Sequence, residues 1–462
     1  MKNKKELGQV FTPKDIVAQM LSLCGYDKDN ILCKKILEPS FGDGAFLTEI
    51  LKKLLSVCKD KNMNNDDVIK YIHQNIFGIE KDALLYDMTV KKLNCILNEY
   101  GITYFDWTDN LYCADTLSFN NFKQKFDIVI GNPPYVSIHN IDDTKILSNY
   151  AFVKKGMADL YICFFEKGIS LLNDTGQLCY ITPNSYFNSL TGETMRSFFI
   201  ENNLIDTIID FGHKQVFDSV TTYSCITLLN KQKHYSTIKY VSEDRTFLLN
   251  YKDFFLNNCY YFLADEEFRN IIRFSDSPIA FVKNGYATLN DNFFINSEIA
   301  KKSLYSINVV KSSTGEMYPC FYPYDKNGDI IELDTIEKHD QYTFSILEEK
   351  NTLLKKRSLS YPDKWYGFGR TQGIKDTYKN KYAINCLFRT IDDIKITHCP
   401  AGCGAFGGLY ILTDIDAKTL LSIFKTDKFI KYCQIIGKYK NGDYYTISSK
   451  EMSKFLNYFL SN

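Results

Sequence analysis

Asp127-Ile128-Val129-Ile130-Gly131-Asn132-Pro133-Pro134-Tyr135 decides the fold and points to the chemistry. A short apolar run that ends at turn residues reads as a strand buried on both faces, as strands of parallel sheets are. The run stops at two consecutive prolines. Each lacks an N–H and fixes φ, so the turn is stiff and presents acceptors without donors. Beyond the carboxyl end of a strand in an open α/β sheet, such a turn faces the crevice where ligands bind. The Asn132 amide oxygen and the Pro133 carbonyl are set there to accept both hydrogens of one NH2 group. Pro134 stiffens the turn, and Tyr135 offers a ring face for stacking.

Upstream, Ile36-Leu37-Glu38-Pro39-Ser40-Phe41-Gly42-Asp43-Gly44 joins a short strand to a helix predicted over 45–57. Gly42 and Gly44 let the backbone approach a ligand closely. Gly78-Ile79-Glu80 ends the next strand with an acid, which suits both hydroxyls of a ribose. The interval between the two is longer than usual, and a polar stretch at 58–75 fills it. Ala114-Asp115 lies ahead of the strand at 126–130, and a carboxylate there can accept from an adenine amine. Each of these is weak alone: a βα turn and a surface acid are the ordinary readings. Their order along the chain carries the argument.

Working outward, strand and helix patterns alternate to about residue 240. Helices are expected at 15–23 (Thr12 as cap, Pro13 at its first position), 83–100 and 159–172. Strands are expected at 177–182, 204–211 and 225–229. This alternation argues for an α/β fold with a mostly parallel sheet. Past 245 the chain turns Tyr/Phe-rich and turn-rich, and strands with short helices are expected.

The chain has 462 residues, 45% hydrophobic and 24% charged, with Lys+Arg 55 against Asp+Glu 55. That is ordinary for a globular protein of two or three domains. A net charge of zero weighs against a uniformly basic nucleic-acid binder, but Lys-rich aromatic stretches at 350–381 and 425–454 segregate charge toward the C-terminal half. No apolar run is long enough for a membrane span, and no apolar segment follows the Lys-rich start, so a secretory signal is not expected. Fourteen scattered cysteines fit reduced thiols in a cytoplasm. His398-Cys399-Pro400-Ala401-Gly402-Cys403 lacks a second Cys/His pair, and no metal is expected.

The constellation at 127–135 suits one reaction. An aromatic amine is a poor nucleophile because its lone pair is delocalised. Two fixed acceptors favour a tetrahedral nitrogen whose lone pair can attack a sulfonium methyl in line, so catalysis is orientation plus electrostatics. A base inside a duplex must first be flipped out and stacked.

These motifs resemble the gamma class of DNA adenine-N6 methyltransferases, the TaqI-like and Eco57I-like enzymes. Gly8-Gln9-Val10-Phe11-Thr12-Pro13 is similar to their motif X, 37–47 to motif I, Glu80 and Asp115 to motifs II and III, and Asn132 to Tyr135 to motif IV. Segments 159–172, 176–187 and 216–229 resemble motifs V, VI and VIII. The resemblance implies a Rossmann-like class I methyltransferase domain over 1–245 with a mixed, mostly parallel sheet, followed by an α+β target-recognition domain over 246–462. It implies S-adenosylmethionine as cofactor, held by Thr12, Pro13, Glu38, Pro39, Gly42, Gly44, Glu80, Asp115 and Asn132. It further implies Asn132, Pro133, Pro134 and Tyr135 as the catalytic turn, with Phe217, or in its place Tyr223, as a second aromatic on the flipped adenine.

Double-stranded DNA is the expected partner, with Lys438 and Lys440 suited to phosphates and Arg370 to a guanine edge. A monomer is expected. Motif X begins at Gly8, so no nuclease domain is expected upstream, and a separate restriction endonuclease is the partner such a system would add. The competing readings are RNA or protein-glutamine methyltransferases, which share the Asn-Pro-Pro-Tyr turn, and a non-catalytic DNA-specificity protein.

Overall fold

The computed structural model describes residues 12–138, 146–154, 159–212, 214–217, 223–232, 236–242, 245–275, 277–359, 361–436, 439–440 and 444–462. The chain divides into two compact units, Met1–Phe262 and Leu263–Asn462.

The first unit is built on a nine-stranded sheet. In chain order its strands are β1 (Ile36–Glu38), β2 (Ile76–Glu80), β3 (Leu111–Cys113), β4 (Phe126–Gly131), β5 (Leu172–Pro183), β6 (Ile205–Asp210), β7 (Ser224–Asn230), β8 (Thr237–Ser242) and β9 (Arg245–Asn250). They lie in the order β3-β2-β1-β4-β5-β7-β6-β8-β9. The first five in that order are parallel, β7 runs antiparallel between β5 and β6, and β9 is antiparallel to β8. This is the expected α/β architecture, a Rossmann-like fold with a mixed, mostly parallel sheet. Because β1, β2, β4, β5 and β6 share one direction, Glu38, Glu80, Gly131, Pro183 and Asp210 end on one edge.

The central strands of the sheet are buried on both faces, and period-2 alternation assigns their side chains. Leu37 and Val129 join a core with Phe164 and Phe165. Ile36, Ile128 and Ile130 join the opposite core with Phe46, Leu47 and Ile50. The helices on these faces are α1 (Lys14–Leu23), α2 (Ala45–Asp60), α3 (Asn65–Asn75), α4 (Ala83–Glu99), α5 (Leu160–Leu171) and α6 (Glu193–Glu201). In α2, Phe46, Leu47, Ile50, Leu51, Leu54, Leu55 and Cys58 are buried at helical spacing. Asp82 caps α4 by accepting from Leu84 N (2.9 Å) and Leu85 N (3.3 Å).

Four expectations need correction. The polar stretch 58–75, to which no element was assigned, carries a helix: from Asn65 it forms α3, which Asn64 caps and which buries Val68 and Ile72. Thr12 is not the cap of α1, and Pro13 does not stand at its first position. Pro13 itself occupies the N-cap, with φ −57° and ψ 148° and no side-chain cap bond. Finally, the first unit does not stop at 245. Strands β8 and β9 extend its sheet, and Tyr260 and Phe262 pack into its core, so the division falls after Phe262 rather than between 245 and 246.

The second unit is α+β. Its four-stranded sheet orders Phe281–Asn284, Leu409–Leu412, Lys381–Ile384 and Ile396–Cys399, and a three-stranded sheet orders Met317–Phe321, Ser306–Lys311 and Cys403–Phe406. Its longest helices are Gln341–Lys355 and Ser449–Ser461. Among the described residues no helix is long and apolar enough to cross a membrane.

Candidate active site

At the carboxyl edge of β1, Phe41 N donates to Ile79 O (3.1 Å) and Gly44 N to Phe41 O (2.7 Å), which curls the chain into α2. Gly42 and Gly44 have φ of 51° and 78°, a region that side chains disfavour. A Cβ on Gly44 would lie 2.5 Å from Thr89 Cγ2, whereas one on Gly42 would enter open space. Gly44 is therefore needed for packing, and Gly42 borders a cradle.

Glu80, at the end of β2, braces this turn. Its Oε2 accepts from Gly42 N (2.8 Å) and its Oε1 from Asp82 N (2.8 Å). Each oxygen of a carboxylate has a second acceptor position, so the brace does not exhaust Glu80. Asp115 binds Lys81 Nζ through Oδ2 (2.7 Å) and Leu117 N through Oδ1 (3.0 Å). Pro39 is buried, and its carbonyl accepts from Thr116 Oγ1.

Glu38 is 2% exposed and accepts from Leu47 N (3.1 Å). Burial pushes its carboxyl well above the ordinary carboxylate range, the Leu47 N–H opposes this, and the nearby Asp43 and Glu80 charges add to it. Burial also raises Glu80, against the backbone N–H groups that lower it. A carboxyl raised on folding holds its proton more tightly folded than unfolded. Its stabilising contribution is complete below the unfolded value and is lost as pH rises through the folded one. Glu38→Gln keeps an acceptor for Leu47 N without a charge. Its Tm should therefore fall less than that of the wild type as pH rises above the ordinary carboxylate range. Calorimetry across that rise checks this, and identical slopes would contradict it.

At the end of β4, Asn132 is half-buried and Pro133 buried. Asn132 Nδ2 donates to Thr12 Oγ1 (3.1 Å), and Ser40 Oγ donates to the Asn132 carbonyl (3.4 Å). The Asn-Pro-Pro-Tyr turn is thereby tied both to the glycine turn and to the segment before α1. Tyr135 donates its hydroxyl to Ile181 O (3.1 Å). Its ring meets Tyr161 at 6.4 Å and Phe217 at 6.3 Å, both edge-on. Phe217 is 3% exposed and half-buried Tyr135 stands beside it. Burial raises the Tyr135 phenol well above its usual value, so the ring stays neutral.

The structure thus brings Thr12, Glu38, Pro39, Gly42, Gly44, Glu80, Asp115, Asn132 to Tyr135 and Phe217 to one edge of the first unit. Residues 8–11 and Lys438 lie outside the described residues. Lys440 belongs to the two-residue strand Tyr439–Lys440, and Arg370 is exposed in the second unit. Sequence reading missed Asp210. This acid ends β6 and accepts from Asn184 Nδ2 (3.1 Å), Gly212 N (3.0 Å) and Tyr240 Oη (3.1 Å), bracing the segment that leads to Phe217. The signal that found Glu80, an acid closing an apolar strand, was present here too. The Cys399 and Cys403 thiols both reach the Gly404 carbonyl, at 3.1 and 3.5 Å. Among the described residues no group of three or more His, Cys, Asp or Glu is placed to hold a metal ion.

The family model described as Eco57I restriction-modification methylase matches residues 46–217. Over these residues the chain resembles Eco57I-like methylases, as the motifs imply. Among curated relatives, the type II restriction enzyme and methyltransferase RM.Eco57I of Escherichia coli is 24% identical over 79% of this chain and 48% of its own length. The type II methyltransferase M.BstVI of Geobacillus stearothermophilus is 25% identical over 78% of this chain and 73% of its own. The chain spans about half the length of the first of these. The type IIL restriction-modification enzyme MmeI, solved in complex with DNA, shares the fold with a TM-score of 0.61 and 14% identity, over 96% of this chain and 65% of that one.

Proposed function

We propose that this chain is a site-specific DNA methyltransferase that transfers a methyl group from S-adenosylmethionine to the exocyclic N6 of an adenine flipped out of duplex DNA. The observation that carries the reading is the double tether of Asn132, through Nδ2 to Thr12 and through its carbonyl to Ser40. It fixes an amide acceptor beside the glycine turn. The names of the Eco57I and BstVI relatives support a DNA methyltransferase, and DNA in the MmeI complex supports the partner.

The residues present suit the cofactor. The cradle beside Gly42 is open, and the Asp43 and Glu80 charges lie close enough to raise the Glu38 carboxyl, a field that favours a cation. Glu38, Pro39, Gly42 and Gly44 would hold it with Thr12 and Pro13, Glu80 would take its ribose, and Asp115 its adenine. When bound, S-adenosylmethionine supplies an electrophilic sulfonium methyl. The protein orients the amine: the Asn132 amide oxygen and the Pro133 carbonyl accept its two hydrogens, and Tyr135, with Phe217 behind it, supports the base. The excess proton on nitrogen leaves to water after transfer, and no side chain needs to act as a strong base. A separate endonuclease would complete a restriction-modification pair.

The test is methyl transfer by the purified protein from labelled cofactor to unmethylated genomic DNA, with RNA and total protein as parallel acceptors. N6-methyladenine confined to one short DNA motif supports the reading. Label only in RNA or protein overturns the substrate, and no label anywhere leaves a non-catalytic specificity protein. The tether gives a second expectation. Thr12→Val removes the acceptor for Asn132 Nδ2, and kcat should fall about tenfold, the scale of one hydrogen bond. Thr12→Ser should restore it. A KM effect alone, unrescued by serine, would make Thr12 a binding residue only.

A further inference from the structure

Among the described residues, six non-glycine residues have φ in the left-handed region, and five are asparagines, which tolerate it. The sixth is Leu289, at φ 56° and 46% exposed. A leucine held in this conformation and half in water serves neither backbone nor core, and strain of this kind concentrates at functional surfaces.

The surroundings are built to hold it. Arg370 N donates to Ala287 O (3.1 Å) and Gly369 N to Thr288 O (3.2 Å), pairing loop 287–290 with loop 367–373. Arg357 clamps the pair from below: its guanidinium donates to Thr288 O (2.6 Å) and Gly367 O (3.0 Å) and lies 4.9 Å over the Phe294 ring. Phe368 N donates to Tyr324 Oη (2.6 Å). At Gly369 a Cβ would sit 2.4 Å from Leu289 Cδ1, so the glycine makes room for the leucine. On this rigid base Leu289, Arg370, Thr371 and Gln372 are exposed together. Arg370 Nη1 donates to Ser358 O (2.7 Å), which aims a guanidinium with five N–H donors. Exposed Lys355, Lys356 and Lys375 flank the loops.

We propose that this loop pair reads base edges in duplex DNA, Leu289 by apolar contact, Arg370 and Gln372 by hydrogen bonds. The assignment rests on the DNA reading above. Arg suits guanine, Gln suits adenine, and an apolar side chain suits the thymine methyl. The lysines suit phosphates.

The test compares the wild type with Leu289→Gly, Arg370→Ala and Gln372→Ala. Methylated sites are sequenced, and kcat/KM is measured on the preferred site and on its single-base variants. Each variant should lose roughly ten- to a hundredfold of discrimination at one base pair. Leu289→Gly should do so with an equal or higher Tm, because glycine adopts this φ without strain. Unchanged site preference in all three variants overturns the assignment. A lower Tm in Leu289→Gly with unchanged preference makes the leucine structural and overturns its role. A wild type that labels no DNA overturns the DNA reading itself, whereas labelled DNA with insensitive loops overturns only this inference.

Discussion

Asn132→Ala should lower methyl transfer by about 10³-fold, the scale seen when one preorganised polar group facing a developing charge is lost, while cofactor affinity stays within a few-fold of the wild type. The reason lies in the geometry of the turn. Pro133 and Pro134 hold the backbone without donors, so alanine leaves the strand end in place. What disappears is the amide that Thr12 orients. On the proposed function, with only the Pro133 carbonyl left, one N–H of the target amine would lose its acceptor and the nitrogen lone pair would stay in the ring. Single-turnover methylation and calorimetric titration of cofactor separate the two effects. Loss of both activity and cofactor binding would indicate misfolding or a misassigned turn.

Glu80→Ala should weaken cofactor binding by roughly ten- to a hundredfold without changing the DNA site. Each oxygen of Glu80 takes a backbone N–H, one from Gly42 and one from Asp82. Removing a carboxylate that satisfies such donors costs about 1–3 kcal/mol, and the glycine turn loses its brace as well as a ligand group. Glu80→Gln, which keeps one acceptor, should lie between the two. A changed site preference in either variant would contradict the assignment.

The parts of the site that were legible in the sequence are local. An apolar strand, a Gly-bearing turn or a terminal acid each declares itself within ten residues, which is why β1, β2 and β4 are legible to within one residue at each end. Thr12 was misread for the same reason. Thr-Pro before an amphipathic stretch is the common signature of a helix start, whereas its actual partner is Asn132, 120 positions away. Helix α3 was hidden by polarity, although its Asn64 cap and the Val68/Ile72 spacing were present. Strand β8 alternates only briefly, Ile238 and Tyr240 buried about exposed Lys239, and β9 has no buried residue, so no continuous apolar run announced either. In the second unit, Arg370 was picked for its charge. The strained Leu289 beside it had no sequence signal, because a leucine at positive φ looks like any other leucine.

The tether of Asn132 has a thermodynamic corollary. Its carbonyl is held from the glycine turn and its amide from the segment before α1, so one residue stiffens with two neighbours at once. On the proposed function, a ligand that orders the glycine turn would prepay part of the entropy of fixing the acceptor, and an extrahelical base would bind the ordered form more tightly. Linkage makes this reciprocal: the base must retain the cofactor by the same factor by which the cofactor favours the base. On the proposed function, product cofactor would then leave readily only after the modified base has left the pocket.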